Sequence, residues 1–285
     1  MKTSNDYNLP AIEACLMVMR ELFTYLKPYR NQIALVGGWV PYFLLGQYSD
    51  DPSVKHVGSL DIDVLLDSSS IPDTAYATIL EILQKRGFLH RVDRLGREIP
   101  ASFVKKVTLE TGEEVQVQVD FLAPEYGGSA GSRRHQVVQE MLARKGRGTD
   151  IVFTHTELIS LSGVLSNRAH VECDMKVADL AACFIMKGIA LGERTSEKDA
   201  YDLYMLARYY KSGPKSVVAD LEALKGHGLM KEAMANIEKE FASVNSLGPV
   251  SVAEFLRIID ETERERSQRD AYEIMQFIST QMKQG

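Results

Sequence analysis

Three aspartates are the residues of this sequence whose type and spacing could do chemistry. Asp61 and Asp63 lie two positions apart in an apolar run, and Asp120 closes the alternating stretch 115–119. Carboxylates at positions i and i+2 of a strand project from the same face, and a third carboxylate on another strand can converge on them. Such oxygen ligands suit hard divalent cations. The pattern predicts a metal site for phosphoryl or nucleotidyl transfer.

A glycine pair precedes the first two aspartates. Gly37 and Gly38 follow the apolar run 33–36. Two glycines in that position can end a strand and open a helix, and the free N–H groups at a helix start suit a phosphate. The glycine pair is therefore predicted to form the phosphate-binding half of a nucleotide site.

Simpler explanations exist for each of these aspartates. An Asp-x-Asp pair also occurs on solvated strand edges, and Asp120 could be a turn residue before Pro124. Asp67 stands next to three serines and is interpreted as a turn residue. We favour the metal-binding interpretation because the two like charges of Asp61 and Asp63 repel each other unless a cation lies between them.

A second charged cluster lies in the segment MKGIALGERTSEKDAYDLYML. Asp199 and Asp202 lie at positions i and i+3 of a predicted helix and so share one face. An ordinary pair of salt-bridged helices would explain the charges of both signs. Lys187, however, follows six apolar residues, which favours an ammonium directed into a cleft. The other cations of the cluster are Arg194 and Lys198, and Ser196 can cap the second helix.

The elements that must position these residues predict an α+β fold. Apolar spacing predicts helices over 11–27, 39–45 (ended by Gly46) and 73–86, and strands over 33–36, 60–66, 101–109 and 114–122. Short strands are predicted at 151–154 and 169–172, and six helices between 177 and 282. We therefore predict an N-terminal domain, 1–150, with a mixed sheet flanked by helices. A C-terminal helical bundle, 151–285, would contribute to the nucleotide cleft.

Composition sets limits on the class of protein. The net charge of −6 argues against general nucleic-acid binding, although a local basic patch is possible around Arg133, Arg134, His135, Arg144, Lys145 and Arg147, beside the glycines of 127–131. The three cysteines form no metal-ligand pattern and are interpreted as buried thiols. With no signal-peptide pattern and no apolar run long enough for a bilayer, we expect a cytoplasmic protein without membrane contact.

The motifs together resemble the nucleotidyltransferase superfamily with a DNA polymerase beta-like fold, and more specifically the AbiEii/AbiGii toxin family. The matching residues are the glycine motif 36–38, the stretch 59–63 with its Asp-x-Asp, Asp120, Lys187, Arg194, and the segment 198–204. The resemblance runs from about residue 30 to 210. The chain departs from the family pattern in two places. The segment 47–58 between the glycine motif and the Asp-x-Asp is longer than in relatives, and the loop 127–148 is the second departure.

The resemblance implies the transfer of a nucleotide from an NTP to an acceptor hydroxyl, with two Mg²⁺ ions as cofactor. Mn²⁺ could take the place of Mg²⁺. Asp61, Asp63 and Asp120 would bind the metal and Gly37, Gly38 and Ser59 the nucleotide. Lys187 would neutralise triphosphate charge, and Asp199 or Asp202 would orient Lys187, Arg194 or the sugar, so that all four belong to the nucleotide-binding set. It also implies the acceptor end of tRNA as a target and an antitoxin partner in a toxin–antitoxin or phage-defence pair.

Two other functions are compatible with the same fold. The chain could be a noncatalytic nucleotide-binding or regulatory module of a two-protein operon. It could also be a small-molecule nucleotidyltransferase of the antibiotic-modifying type.

Overall fold

The structure is a computed structural model that describes residues 2–71, 78–126, 134–194 and 196–284. The chain divides into two compact units. The sheet unit comprises Asn8–Trp39 and Ser59–Ala178, and the helical unit comprises Met1–Tyr7, Val40–Gly58 and Asp179–Gly285. Each unit is therefore built from segments that are distant in sequence.

The sheet unit contains every strand found among the described residues, with two helices. The helices are α1 (Leu9–Tyr25) and α3 (Ile79–Lys85). The strands are β1 (Ile33–Val36), β2 (Asp61–Leu66), β3 (Leu89–Val92), β4 (Glu98–Thr108), β5 (Glu114–Pro124), β6 (His135–Val138), β7 (Met141–Gly146), β8 (Thr156–Val164) and β9 (His170–Ala178).

These nine strands form one mixed sheet in the order β3-β4-β5-β2-β1-β9-β8, with β7 joining β5 and β6 joining β7. Strand β2 runs antiparallel to β1 and parallel to β5. The centre of the sheet is buried because Leu35, Ile62 and Val119 are fully enclosed. Helix α1 packs against β4, β5, β8 and β9. Strands β1, β2 and β5 are thus rigid central elements, on which side chains are held accurately.

The helical unit contains the remaining helices of the described chain. They are α2 (Val40–Tyr48), α4 (Leu180–Glu193), α5 (Glu197–Tyr209), α6 (Pro214–Leu221), α7 (Gly228–Glu240), α8 (Leu247–Phe255) and α9 (Glu261–Lys283). Asp179 and Ser196 cap α4 and α5 by accepting hydrogen bonds from the backbone N–H groups of Ala182 and Asp199. Such caps satisfy N–H groups that a helix start leaves without a partner.

The predicted α+β class is confirmed, but two local predictions are wrong. Residues 151–154 belong to the 3-10 turn Thr149–Thr154 instead of a strand, because a short apolar run buries itself equally well in either conformation. Gly46 does not end α2, which continues to Tyr48, since a single glycine in a helix costs only about 1 kcal/mol.

Two sequence features lie partly or wholly outside the described residues. The predicted helix 73–86 is described only from Thr78, where α3 is capped, and the glycines of 127–131 and Arg133 are not described. Asp67 is the turn residue expected, since it accepts hydrogen bonds from the hydroxyls of Ser69 and Ser70.

The cysteines and the helices bear on two further expectations. Cys15 and Cys183 are buried, Cys173 is partly buried, and all three are free thiols. Burial raises the pKa of Cys15 and of Cys183 to about 12, so both stay protonated at neutral pH. No helix in the described part of the chain has the length and apolar character that crossing a bilayer requires.

Candidate active site

The carboxylates of the sheet unit lie in one row across adjacent strands. Asp63 of β2 is in register with Asp120 of β5, and Asp120 is in register with Ser102 of β4. Paired residues on neighbouring strands point to the same face, and the strands are about 4.8 Å apart. Asp63 and Asp120 are therefore brought side by side, although 57 positions separate them in the sequence.

Neighbouring polar side chains hold two of these carboxylates in place. The Ser102 hydroxyl donates a hydrogen bond to Oδ1 of Asp120 at 2.6 Å, and the Gln118 amide donates one to Oδ2 at 2.9 Å. Asp61 lies two positions before Asp63, in register with Gln118, and its Oδ1 accepts a hydrogen bond of 2.7 Å from the Ser59 hydroxyl. The Asp120 carboxylate is thus oriented through both of its oxygens.

Gly37 provides the space that Asp63 occupies. Val36, which ends β1, is in register with Asp63, so the next residue passes close to that side chain. A Cβ atom on Gly37 would lie 2.2 Å from Oδ2, 2.9 Å from Cγ and 3.0 Å from Cβ of Asp63. The φ angle of Gly37 is +75°, a conformation that glycine adopts without strain. Only glycine satisfies both conditions, and the buried Gly38 follows it in the 3-10 turn Gly37–Trp39.

The chemistry of the donors fits a hard cation, because every candidate ligand is a carboxylate oxygen. Among the residues that the structure describes, no group of three or more His, Cys, Asp or Glu side chains is arranged to hold a metal ion. Mg²⁺ does not require such a group, since it usually binds one or two carboxylates and takes its remaining ligands from water and substrate phosphates. The pair Asp61 and Asp63 fits such a site.

The charged cluster of the helical unit forms a buried ion-pair network. Lys187 of α4 places its Nζ 2.7 Å from Oδ1 of Asp199 and 2.6 Å from Oδ2 of Asp202, both on α5. Lys198 pairs with Oδ1 of Asp202, and Arg194 pairs with Oδ2 of Asp199 at 2.9 Å. The side chains of Asp199 and Asp202 are 1% and 0% exposed. These two carboxylates are therefore shielded from water and from salt, whereas the Arg194 side chain is 63% exposed.

Burial and charge act against each other in this network. Burial alone would raise the pKa of Asp202, but Lys187 and Lys198 outweigh it and hold that pKa far below its usual range. Burial would lower the pKa of Lys187, but the charges of Asp199 and Asp202 outweigh that effect and raise it. Asp202 is therefore a carboxylate and Lys187 an ammonium ion at neutral pH.

The structure adds a residue that sequence reasoning missed. His56 is fully buried, and its Nε2 lies 2.9 Å from Oδ1 of Asp202. Its Nδ1 accepts a hydrogen bond of 3.1 Å from the backbone N–H of Gly58. Burial lowers the pKa of His56 to about 4, so the imidazole is neutral at pH 7. The only sequence signal was a lone histidine in the long segment 47–58, 146 residues from its partner.

The predicted site residues therefore form two groups, each within one unit. The sheet unit brings together Gly37, Ser59, Asp61, Asp63 and Asp120. The helical unit brings together Lys187, Arg194, Asp199 and Asp202. The basic patch is described from Arg134 onward, where His135 is in register with Arg144 in the β6–β7 hairpin.

Comparison with known proteins gives one family and a structural neighbour. The model of the family "Nucleotidyl transferase AbiEii toxin, Type IV TA system" matches residues 25–276. No curated protein matches the chain. A crystal structure of an antigenic nucleotidyltransferase-like protein from Paracoccidioides brasiliensis is 14% identical with a TM-score of 0.47, over 87% of this chain and 94% of that one. A similarity at that level carries no argument about function.

The family match covers most of the chain, and it confirms the family and the enzyme class expected from the motifs. The family implies a nucleotide substrate and an antitoxin partner. The chain belongs to the AbiEii family of nucleotidyl transferase toxins of type IV toxin–antitoxin systems.

Proposed function

We propose that the chain transfers a nucleotide from an NTP to an acceptor hydroxyl in a Mg²⁺-dependent reaction at the carboxylates of β2 and β5. The observation that carries this proposal is the register of Asp63 with Asp120, together with the absence of a side chain on Gly37 next to the Asp63 carboxylate. A side chain at position 37 would collide with the Asp63 carboxylate, so glycine at this position allows that carboxylate to lie beside Asp120.

Asp61 and Asp63 would hold Mg²⁺, for which Mn²⁺ can substitute because it also accepts carboxylate oxygens. We infer two ions, as the family resemblance implies. When bound, the metal neutralises charge on the triphosphate and lowers the cost of transferring the nucleotide. Gly37, Gly38 and Ser59 would bind the phosphates.

Asp120 is suited to accept the proton of the acceptor hydroxyl and to complete the shell of one metal ion. Its two oxygens already accept hydrogen bonds from Ser102 and Gln118, which fix the orientation of the carboxylate. Each carboxylate oxygen has two lone pairs, so one on each remains for a proton or a metal. Within the helical unit, Asp199 and Asp202 hold the Lys187 ammonium through ion pairs of 2.7 and 2.6 Å.

For the acceptor we propose tRNA, as the family resemblance implies, with the antitoxin as the second protein of the operon. The test incubates the purified chain with each α-labelled NTP, Mg²⁺ and total RNA, and follows label in the RNA. Asp63→Asn should abolish transfer with the fold intact. Glu114→Gln, an exposed carboxylate on neighbouring β5, is the matched control and should keep full activity. Full transfer by Asp63→Asn would refute the proposal.

The same assay distinguishes the two alternatives. Label that enters aminoglycosides and not RNA would indicate a small-molecule nucleotidyltransferase. A noncatalytic nucleotide-binding module would show no transfer, yet Mg²⁺ and its preferred NTP would still raise the thermal midpoint according to RT ln(1 + [L]/Kd).

A further inference from the structure

The edge of the sheet at β3 and β4 carries a concentration of positive charge. The stretch 85–106 runs from the last residue of α3 through β3 into β4. It contains seven Lys or Arg residues but only two carboxylates, Asp93 and Glu98, in a chain whose net charge is −6. Like charges that are crowded along one edge repel one another, and a negatively charged partner would relieve that repulsion.

Two of these cations are already engaged within the sheet unit, whereas two others are not. Lys105 lies on the face of β4 that packs against α1, with its Nζ 3.6 Å from a carboxylate oxygen of Glu21. Arg97 forms an ion pair of 2.7 Å within the β3–β4 turn. Arg91 and Lys106 form no ion pair and no side-chain hydrogen bond with any residue that the structure describes. Arg91 is partly exposed and Lys106 is exposed, so both charges are available to a ligand.

Strand register places Lys106 on the face of the sheet that carries the carboxylates. Asp120 is in register with Ser102 of β4, and Lys106 lies four residues further along that strand. Residues at even separations in a strand share a face. At about 3.3 Å per residue, Lys106 is therefore about 13 Å along β4 from the row that contains Asp120 and Ser102.

Arg91 reaches the same face on the next strand. His90 is in register with Phe103, and their ring centroids are 4.4 Å apart. Because successive side chains of a strand alternate, Arg91 lies on the opposite face, which is the face of Ser102. Pairing is irregular beside it, since Arg91 alone stands opposite the four β4 residues 99–102. Such irregularities often re-aim side chains next to active sites.

The order of the strands separates these two cations from the proposed phosphate-binding turn. In the sheet, β1 lies on one side of the carboxylate-bearing strands β2 and β5, and β4 and β3 lie on the other side. The glycine turn follows β1, so the NTP phosphates would bind on that side. The acceptor hydroxyl, whose proton Asp120 would take, would then approach from the side of β4 and β3. Arg91 and Lys106 lie along that approach.

We propose that Arg91 and Lys106 bind the phosphate backbone of the acceptor RNA and guide its terminal hydroxyl towards Asp120. This inference rests on the proposed function and assigns the acceptor side of the same site. Contacts of Lys and Arg with phosphates supply much of the affinity of a protein for nucleic acid, whatever the base sequence. The same two charges would repel a polycationic acceptor such as an aminoglycoside.

The test measures RNA binding directly, by the fluorescence anisotropy of labelled tRNA at several salt concentrations. In Arg91→Gln/Lys106→Gln the Kd should rise at least about 10-fold, and the slope of log K against log salt should become shallower by about 1.4–1.8, the value for two phosphate contacts. Arg91→Lys should stay within about 3-fold of wild type, because lysine also binds phosphate as a point charge. The matched control Arg269→Gln/Lys215→Gln removes one exposed arginine and one exposed lysine from α9 and α6, and should change the Kd less than about 2-fold.

Steady-state transfer gives a second readout. In Arg91→Gln/Lys106→Gln the KM for RNA should rise about as much as the Kd. The KM for the NTP and kcat at saturating RNA should change less than about 3-fold, because these cations contact the acceptor away from the reacting atoms.

Four results would overturn the proposal: no binding of tRNA by wild type, wild-type affinity in Arg91→Gln/Lys106→Gln, an equal loss in the control pair, or a rise in KM confined to the NTP. Failure of the proposed function would appear differently, as transfer that is absent in wild type or unchanged in Asp63→Asn. The anisotropy measurement needs no transfer and would still decide whether Arg91 and Lys106 bind RNA.

Discussion

Replacement of Gly37 by alanine tests the geometry of the site most directly. The new Cβ would lie 2.2 Å from Oδ2 of Asp63, a contact that rotation of the carboxylate could relieve. It would also lie 2.9 Å from Cγ and 3.0 Å from Cβ of Asp63, and no rotation moves that Cβ. Strand β2 must therefore shift relative to the turn after β1, and Asp63 moves with it.

The energetic cost has two parts that a matched control separates. A left-handed φ costs a non-glycine residue about 1–2 kcal/mol, and overpacking a tight contact adds about 1–3 kcal/mol. Gly96 has φ +76°, nearly the +75° of Gly37, but nothing lies within 4 Å of the position that a Cβ atom would take there. Gly96→Ala should therefore lower the free energy of unfolding by about 1–2 kcal/mol, and Gly37→Ala by about 2–5 kcal/mol.

Urea denaturation measures both variants, and unchanged m-values would show that the same two-state unfolding is compared. Nucleotide transfer should fall about 100-fold or more in Gly37→Ala, since a displacement of about 1 Å at a reacting group costs that much. Gly96→Ala should keep its activity. Equal destabilisation by the two variants, or full activity in Gly37→Ala, would refute the inference that Gly37 makes room for the Asp63 carboxylate.

Three further predictions concern the ion-pair network and the metal. Asp202→Asn should lower the free energy of unfolding by about 3–5 kcal/mol, because it leaves the buried cations of Lys187 and Lys198 without the carboxylate charge. A decrease of less than about 1 kcal/mol in urea denaturation would show that these ion pairs do not stabilise the fold. Burial lowers the pKa of His56 from 6.5 to about 4, so the neutral imidazole contributes fully to the free energy of unfolding above pH 6.5 and this contribution falls by roughly 3 kcal/mol towards pH 4. In urea titrations across that range, the free energy of unfolding of His56→Gln should fall correspondingly less than that of wild type. Mg²⁺ with the preferred NTP should raise the thermal midpoint of wild type and should raise that of Asp63→Asn much less. An equal rise in both proteins would argue against a metal role for this carboxylate.

The local elements of the site could be predicted from the sequence because they depend on short-range patterns. Strand β1 occurs where its apolar run predicts it, at Ile33–Val36, and β2 at Asp61–Leu66 differs by one residue from the predicted 60–66. Alternation of apolar and polar residues also predicts that Asp61 and Asp63 share a face. The same motifs carry the resemblance to the family, and the match over residues 25–276 confirms it.

Strands that depend on their neighbours could not be predicted in this way. Strands β3, β6, β7 and β8 have no counterpart in the prediction, because a short strand gains its stability from pairing with a distant segment and not from its own composition. The four-residue β3, for example, exposes Leu89 and Val92 and is held by its register with β4. Its residues show no alternation that would mark a buried face.

The sequence alone therefore determined the residue types of the site, the face on which the first two aspartates lie, and the family. Only the tertiary structure decided that Asp63 lies beside Asp120, that Gly37 has no room for a side chain, and that His56 holds Asp202. The physical reason is range. Periodicity and turn chemistry act within a few residues, whereas strand register and buried ion pairs join residues that only the completed fold brings together.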